Sequence, residues 1–442
     1  MIATLIRGGH VVDPANGTDA EADVLIAGGK IARVGKISLE DAKAFRNDID
    51  QVEVIDATGL IVTPGLIDTR AHLGEPDDES AETIAGGAQT AVHGGFTTIA
   101  CMPDTDPPLD TKAAALYVRR QSEQAGFADV YPVCALTKGR EGGELAPLGQ
   151  LVSAGVVAFS DEQRAQDEPS GLLRGMAYAA MFDRAVIECS QDPALAGGVM
   201  NAGYEATLAG LPGIPAVAEE LTVARACMFA RETGAHYHAA LLTTRNAVRV
   251  VKRARRLGIR VTGETCAHYL ACTDEAVRAN YDTHFKVFPP LRTAEDIGWL
   301  KRGLREGIVD CISSGHRPVP PQQKELEFGH APFGALGLET TLAVVLTHVV
   351  QTGDLSLSKA IAAMTINPAR ILRLNDRKGA LTAGFDGDVC LIDTKKRWMV
   401  EPDTLVSHCK NSPFLGATLT GRARYTIVRG RVFDLHALAA LP

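Results

Sequence analysis

Residues 64–76 read PGLIDTRAHLGEP, an apolar β-type run that ends in polar and charged side chains. In an α/β barrel of parallel strands, the residues that bind or catalyse lie at the carboxyl ends of the strands. We therefore interpret Gly65–Asp68 as the first strand of such a barrel. Arg70, His72 and Glu75, which follow this strand, become candidates for a functional site.

The same pattern, an apolar run followed by a segment long enough for a helix, recurs along the chain. Such repetition is the signature of βα units that build a parallel sheet. Eight strands close a (β/α)8 TIM-type barrel. The eight candidates are Gly65–Asp68, Thr97–Met102, Asp129–Ala135, Val156–Phe159, Ala185–Cys189, Tyr237–Leu242, Arg260–Glu264 and Asp310–Ser313. Periodic segments at Ala218–Thr233 and Thr244–Leu257 predict two of the intervening helices.

Short β-type runs separated by turn residues occupy both ends of the chain. Residues 1–60 and 376–442 therefore predict one small, discontinuous β-sandwich domain, and residues 61–375 predict the barrel. The predicted fold class is α/β, with the small domain beside the barrel.

Composition limits the class of protein. The formal net charge of −8 over 442 residues argues against nucleic acid or an anionic membrane as the partner, because both need a basic surface. No run approaches the roughly 18 apolar residues of a membrane span, and the N-terminus does not resemble a signal peptide. The nine cysteines include no C-x-x-C pair, which indicates reduced thiols. We expect a cytoplasmic protein.

Seven motifs in this chain resemble those of the dihydroorotase family. They are PGLID-x-x-x-H-x-x-EP at Pro64–Pro76, GGFTT-x-x-CMP at Gly94–Pro103, TKGREG-x-EL at Thr137–Leu145, AFSD at Ala158–Asp161, GETC-x-HYL at Gly263–Leu270, PPLR at Pro289–Arg292 and NPAR at Asn367–Arg370. The resemblance covers nearly the whole chain. It implies an amidohydrolase-type barrel and an enzyme of pyrimidine biosynthesis that interconverts carbamoyl aspartate and dihydroorotate. The nucleophile would be a zinc-bound hydroxide.

The metal-binding positions that the resemblance implies carry altered residues. The family's strand-one histidine pair corresponds to Arg70 and His72, its strand-four carboxylate to Asp161, its strand-five and strand-six histidines to Cys189 and Leu241, and its catalytic strand-eight aspartate to Gly315. A guanidinium has no lone pair for zinc, and leucine and glycine have no ligand atom. We therefore expect no catalytic residue and no metal. Zinc held by His72, Asp161 and Cys189 is the alternative.

The substrate-binding positions that the resemblance implies are altered as well. Gly74 stands where the family has arginine, and Asp104 and Phe288 stand where it has asparagine. The missing arginine removes a bidentate partner for a substrate carboxylate, and Asp104 adds a charge of the same sign as that carboxylate. Arg317 replaces a small residue, and we expect it to point into the pocket.

Without a metal, the remaining polar groups need other partners. We expect His72 and Asp161 to pair with each other or with Arg70. An Arg70–Asp161 pair is attractive, because a cation would then take the place of the metal. His236, His238 and His316 are expected to be hydrogen-bonded structural histidines.

Three functions remain open at this point. The main hypothesis, implied by the resemblance, is a catalytically silent dihydroorotase-like chain. It would act as a structural or regulatory partner of the aspartate transcarbamoylase catalytic chain, in a homo- or hetero-oligomer. The alternative is an active cyclic-amide hydrolase, a dihydroorotase or a related enzyme, with a rebuilt mononuclear zinc site. The third is a sensor that binds a pyrimidine-like ligand without converting it.

Overall fold

A barrel of parallel strands forms the larger part of the molecule. The computed structural model describes residues 2–162 and 169–438. Barrel strands 1 to 8 are Leu66–Ala71, Phe96–Cys101, Asp129–Cys134, Ala158–Phe159, Ala185–Cys189, Tyr237–Ala240, Val261–Cys266 and Cys311–Ser313. Each strand pairs in parallel with the next, and a bridge between Ala71 and His316 brings the last beside the first. The eight predicted strands are confirmed in a nearly closed barrel.

Helices alternate with these strands and cover their outer faces. In the described residues, α-helices span Leu39–Ala44, Ile84–His93, Lys112–Ala125, Leu148–Ser153, Pro169–Ala180, Tyr204–Ala209, Val217–Thr233, Arg245–Arg256, Glu275–Asn280, Ala294–Glu306, Pro321–Lys324, Thr341–Val345, Leu357–Met364, Ile366–Ile371 and Leu435–Leu438. Helix Arg245–Arg256 begins after Thr244, whose side chain accepts a hydrogen bond from the Ala247 amide. Helix Val217–Thr233 ends at Gly234, whose φ of 70° suits glycine. Both helices predicted from periodicity are thus confirmed.

The two ends of the chain form one mixed sheet beside the barrel. Its strands are Ile2–Asp13, Thr18–Ala27, Lys30–Gly35, Gln51–Asp56, Ile61–Pro64, Val389–Met399, Thr418–Val428 and Arg431–Asp434. Ile61–Pro64 pairs in parallel with Ile2–Asp13 and antiparallel with Val389–Met399, so it joins the N-terminal part of the sheet to the C-terminal part. The β unit shared by both termini is confirmed. The boundaries at residues 60 and 376 stay predictions, and strand Ile61–Pro64 lies in the sheet.

A buried lysine connects this sheet to the barrel. Lys378 Nζ lies 2.9 Å from Asp129 Oδ2 at the start of barrel strand 3. The same ammonium contacts the carboxylate of Asp388 and lies 3.5 Å from Asp386 Oδ2, just before strand Val389–Met399. Burial disfavours the ammonium form, but Asp388 and Asp129 outweigh burial and raise the pKa of Lys378. The network fixes the sheet against the base of the barrel.

Two expectations from the composition concerned the oxidation state of the cysteines and the length of apolar segments. None of the nine cysteines, all of which lie in the described part of the chain, forms a disulfide, and eight are buried. Within the described residues, no helix has the length and apolar character that crossing a membrane requires.

Candidate functional site

A buried ion pair lies at the mouth of the barrel. Arg70, near the end of barrel strand 1, donates a hydrogen bond from Nη2 to Glu162 Oε2, and both side chains are 1 % exposed. Burial is the largest single effect and disfavours the charged guanidinium, but Glu162, together with Cys189 and Glu264, outweighs it and raises the pKa of Arg70. The barrel mouth therefore contains a permanent cation supplied by the chain itself.

The expected partner of Arg70 was Asp161, and that prediction is wrong by one residue. The Asp161 carboxylate turns to the loop after barrel strand 3. It accepts hydrogen bonds from the Leu136 and Thr137 amides at 2.8 and 3.0 Å and from the Thr137 hydroxyl at 2.7 Å. The chain turns at Glu162, whose φ of 57° is left-handed, and this turn lets the Glu162 side chain rather than that of Asp161 reach Arg70. The acidic doublet 161–162 is visible in the sequence, but no local pattern tells which acid faces the barrel interior.

His72 pairs with Asp104, so the expected pairing of His72 with Asp161 or Arg70 is also wrong. Its Nδ1 lies 2.8 Å from each carboxylate oxygen of Asp104, and Arg317 Nη2 lies 3.2 Å from Asp104 Oδ2. Burial raises the pKa of the Asp104 carboxyl, but His72 and Arg317 together hold it well below its usual range. Two altered positions, Asp104 and Arg317, thus contact each other and enclose the one histidine that survives from the strand-one pair.

The three residues of the alternative zinc site do not converge. Cys189 ends barrel strand 5 and is buried, while His72 and Asp161 are engaged as described. Among the described residues, ligand atoms lie close enough to share an ion in two groups, His238 with Glu264 and Cys311, and Asp129 with Asp386 and Asp388. Neither group includes His72, Asp161 or Cys189.

Both of these groups already have protein partners. Glu264 accepts hydrogen bonds from Thr69, from Ser313 at 2.9 Å and from His238 Nε2 at 3.1 Å. The three aspartates surround the Lys378 ammonium. Their side chains therefore serve internal networks.

Backbone geometry leaves little room for two of the family's side chains. Gly315 has a φ of 59°, and a Cβ there would lie 3.0 Å from both Cys266 Sγ and His268 Cε1. A Cβ at Gly74 would lie 2.0 Å from the carbonyl oxygen of Asp78. A Cβ at Gly74 would require the neighbouring backbone to move, and one at Gly315 would require the Cys266 or His268 side chain to give way. Both positions are therefore packed closely enough to favour glycine over the larger residues that the resemblance implies.

Two adjoining cavities of 340 and 530 Å³ lie at the barrel mouth, and both are lined by His72, Asp78 and Arg317. The prediction that Arg317 points into the pocket is thus confirmed. Arg70, Leu241, Gly315 and Phe288 line the smaller cavity. Leu241 has a φ of 52°. Phe288 stacks edge-on against Phe333 with ring centroids 5.3 Å apart. An apolar wall thus replaces polar groups in this cavity.

The other candidate histidines are structural, as predicted. His236 Nε2 and His238 Nδ1 each lie 2.8 Å from the Thr262 hydroxyl. His316 Nδ1 accepts a hydrogen bond from the Gly337 amide at 3.3 Å. His268 lies against Cys266, with Nε2 3.0 Å from the sulfur.

The residues present do not fit the zinc centre that the resemblance implies. A guanidinium paired with Glu162 stands at the first ligand position, and guanidinium nitrogens have no lone pair for a metal. Leu241 and Gly315 supply no ligand atom, and both oxygens of Asp161 are engaged by Leu136 and Thr137. The chemistry of this donor set is that of an ion pair rather than of a catalytic metal site, which needs several lone-pair donors and an open position.

A nearly closed parallel barrel with a terminal sheet and a site at the strand ends is the architecture of the amidohydrolase superfamily. A family model described as Dihydro-orotase-like matches residues 59–247, and one described as Amidohydrolase family matches residues 334–434. The dihydroorotase of Citrifermentans bemidjiense is 43 % identical over 429 residues, covering 97 % of this chain and 98 % of the relative. That of Acetivibrio thermocellus is 41 % identical, with the same coverage of both chains. The chain belongs to the dihydroorotase family.

Solved structures of hydantoinases share the fold. The L-hydantoinase (dihydropyrimidinase) of Arthrobacter aurescens superposes with a TM-score of 0.85 at 26 % identity, covering 98 % of this chain and 96 % of the other. The D-hydantoinase of Thermus sp. gives a TM-score of 0.80 at 23 % identity, covering 97 % and 94 %. The second likeness concerns the fold alone.

Proposed function

We propose that this chain is a dihydroorotase-family protein of pyrimidine biosynthesis that has given up zinc-dependent ring hydrolysis. The observation that carries the proposal is the buried Arg70–Glu162 pair. A permanent cation at a ligand position opposes the approach of a divalent metal, and it cannot be neutralised at any pH in the working range. The crowding around Gly315, where the family's catalytic aspartate would stand, adds support.

We further propose that the chain acts as a structural partner of the aspartate transcarbamoylase catalytic chain. This part follows from the resemblance, since a fold retained without its chemistry is kept for its surfaces. It is supported by the outer face of helix Val217–Thr233. There Val217, Leu221 and Met228 recur at helical spacing with exposed fractions of 43, 52 and 60 %. Exposed apolar surface of this kind favours a protein contact.

The second candidate is an active cyclic-amide hydrolase. It is favoured by the relatives, which carry the name dihydroorotase at 41–44 % identity over nearly the full chain. For zinc to bind His72, Asp161 and Cys189, the Asp161 carboxylate would have to leave Thr137 and His72 would have to leave Asp104. That rearrangement would break two buried networks.

The test measures metal content by mass spectrometry, and dihydroorotate hydrolysis and its reverse with and without added zinc. We expect less than about a tenth of an equivalent of zinc, far short of the full occupancy of a catalytic zinc site, and no turnover. Stoichiometric zinc with zinc-dependent turnover would establish the second candidate instead.

Co-purification with the aspartate transcarbamoylase catalytic chain tests the partnership separately. A variant carrying Leu221→Asp and Met228→Asp should lose the complex, because charged side chains are excluded from the apolar centre of an interface. Leu257→Asp, at a side chain that is 63 % exposed just after helix Arg245–Arg256, is the matched control. No complex with the unaltered chain would contradict this part of the proposal.

A further inference from the structure

Glu162 is not the only acidic side chain that acts on Arg70 in the barrel interior. The pKa of Arg70 is raised by Glu162, Cys189 and Glu264 against the opposing effect of burial. Glu264 is 0 % exposed and lies on barrel strand 7. Burial alone raises the pKa of its carboxyl, but His238 and Arg70 lower it to below the ordinary value. The carboxylates of Glu162 and Glu264 therefore both act on the one guanidinium inside the barrel.

Arg70 also joins elements that are distant in the barrel. It lies on barrel strand 1, whereas Glu162 follows barrel strand 4, so the pair crosses the mouth. The neighbouring Thr69 donates to Glu264 on strand 7. In family enzymes with a metal, an ion would draw such strand ends together by binding groups from several strands at once.

We propose that the Arg70 guanidinium is a built-in cation that takes over the neutralising and strand-joining role of a bound metal, so that the barrel folds and stays closed without one. The inference rests on the proposed function only in regarding the site as metal-free. It concerns the stability of the barrel and says nothing about turnover.

The pair is expected to be strongly coupled. Removing one partner leaves the other charge buried and unpaired, whereas removing both removes the ion pair altogether and leaves Glu264 with its own partners, Thr69, His238 and Ser313. The geometry is also incomplete. Arg70 Nε, Arg70 Nη1 and Glu162 Oε1 have no hydrogen-bond partner among the described residues. An apolar double variant therefore has little hydrogen bonding to lose.

The experiment is a double-mutant cycle in the full chain, read by thermal unfolding in EDTA and in added Zn²⁺. Arg70→Met and Glu162→Gln should each lower the Tm, Arg70→Met by about 3–5 °C. The double variant Arg70→Met/Glu162→Met should regain most of this loss. The Tm of the unaltered chain should be the same in EDTA and in zinc. Arg260→Met, in an exposed ion pair with Asp183, is the matched control and should shift the Tm by less than about 1 °C.

Three outcomes would overturn the proposal. One is a Tm of the unaltered chain that rises with zinc concentration. Another is an Arg70→Met variant as stable as the unaltered chain. If Arg70→Met does not fold, the cycle still decides through the double variant, which must then fold better than Arg70→Met. A double variant that also fails to fold counts against the proposal. A Tm that rises with zinc would count against both this proposal and the proposed function, whereas an Arg70→Met variant of unchanged stability, or a double variant that regains nothing, in a chain whose Tm zinc does not change, would overturn this proposal alone.

Discussion

At the residue scale, Gly315 shows how closely packed the barrel mouth is at the position where the resemblance implies an aspartate. Its left-handed φ of 59°, and the 3.0 Å that would separate a Cβ at this position from Cys266 Sγ and His268 Cε1, disfavour an aspartate here. Strand ends in most barrels carry catalytic groups, whereas here the side chains of Cys266 and His268 occupy the space beside Gly315. Reversal would require several coordinated changes.

We predict that Gly315→Asp destabilises the chain and creates no activity. The added side chain must displace Cys266 or His268 and place a carboxylate in a crowded site. The free energy of unfolding should therefore fall by about 2–4 kcal/mol. Gly17→Asp is the control, because Gly17 has a φ of 67° but no neighbour within 4 Å. It should cost only about 1 kcal/mol, the strain of the left-handed backbone. Equal losses in urea unfolding would show that crowding at Gly315 is unimportant.

At the element scale, the segment after barrel strand 8 closes over the smaller cavity. Arg317, Pro320, Phe333 and other residues of this segment line the cavity wall. It is fastened by buried ammonium groups that bind backbone carbonyls. Lys324 Nζ donates to the carbonyl oxygens of Thr283 at 2.8 Å and Pro332 at 3.0 Å. Lys286 lies before this segment in the chain, and its Nζ donates to the carbonyl oxygen of Phe328 within the segment at 2.6 Å. Neither lysine is in an ion pair among the described residues.

This arrangement predicts a pH dependence of stability. Burial, reinforced by Lys286, lowers the pKa of Lys324 from 10.5 to about 7, with Asp282 opposing. Between these values the unfolded chain binds more protons than the folded chain, so raising the pH stabilises the fold. The free energy of unfolding should rise by about 2 kcal/mol from pH 7 to pH 9.

A Lys324→Met variant isolates this contribution. Urea unfolding at both pH values should show the rise in the unaltered chain and its loss in the variant. Lys252→Met, at a lysine that is 29 % exposed and paired with Glu306, should retain the rise. An unchanged pH dependence in Lys324→Met would contradict the prediction.

Most elements could be predicted from the sequence, because periodicity reports burial directly. Strands such as Ala185–Cys189 and helices such as Val217–Thr233 follow from apolar runs and their spacing. The partners of the charged residues could not be predicted in the same way. The direction of each side chain, set by strands distant in sequence, decides whether Asp161 or Glu162 contacts Arg70. It also brings Asp104 into contact with both His72 and Arg317. The positions that correspond to the family's metal ligands could be identified in the sequence only because the motifs on either side of them align without gaps.

At the scale of the whole molecule, the buried Lys378 network joins barrel and sheet. Lys378 is 1 % exposed, and its carboxylate partners come from both parts of the molecule. We predict that Lys378→Met lowers the free energy of unfolding by about 3–5 kcal/mol, because it leaves Asp129 and Asp388 buried with less compensation. Lys30→Met is the matched control. Lys30 binds Asp386 of the same network but is 50 % exposed, so about 1 kcal/mol or less is expected. If chemical unfolding shows that Lys378→Met and Lys30→Met lower the free energy of unfolding by similar amounts, the burial of Lys378 does not account for its contribution.

The terminal sheet also sets an order of events during synthesis. Strand Ile61–Pro64 needs Val389–Met399 as its antiparallel neighbour, and that strand leaves the ribosome roughly 325 residues later. At about 5–20 residues per second, one edge of Ile61–Pro64 stays unpaired for about 15–65 s. An open strand edge invites pairing with other chains. Chain termination before Val389 would leave this edge unpaired permanently, whereas termination after Met399 would keep its partner strand.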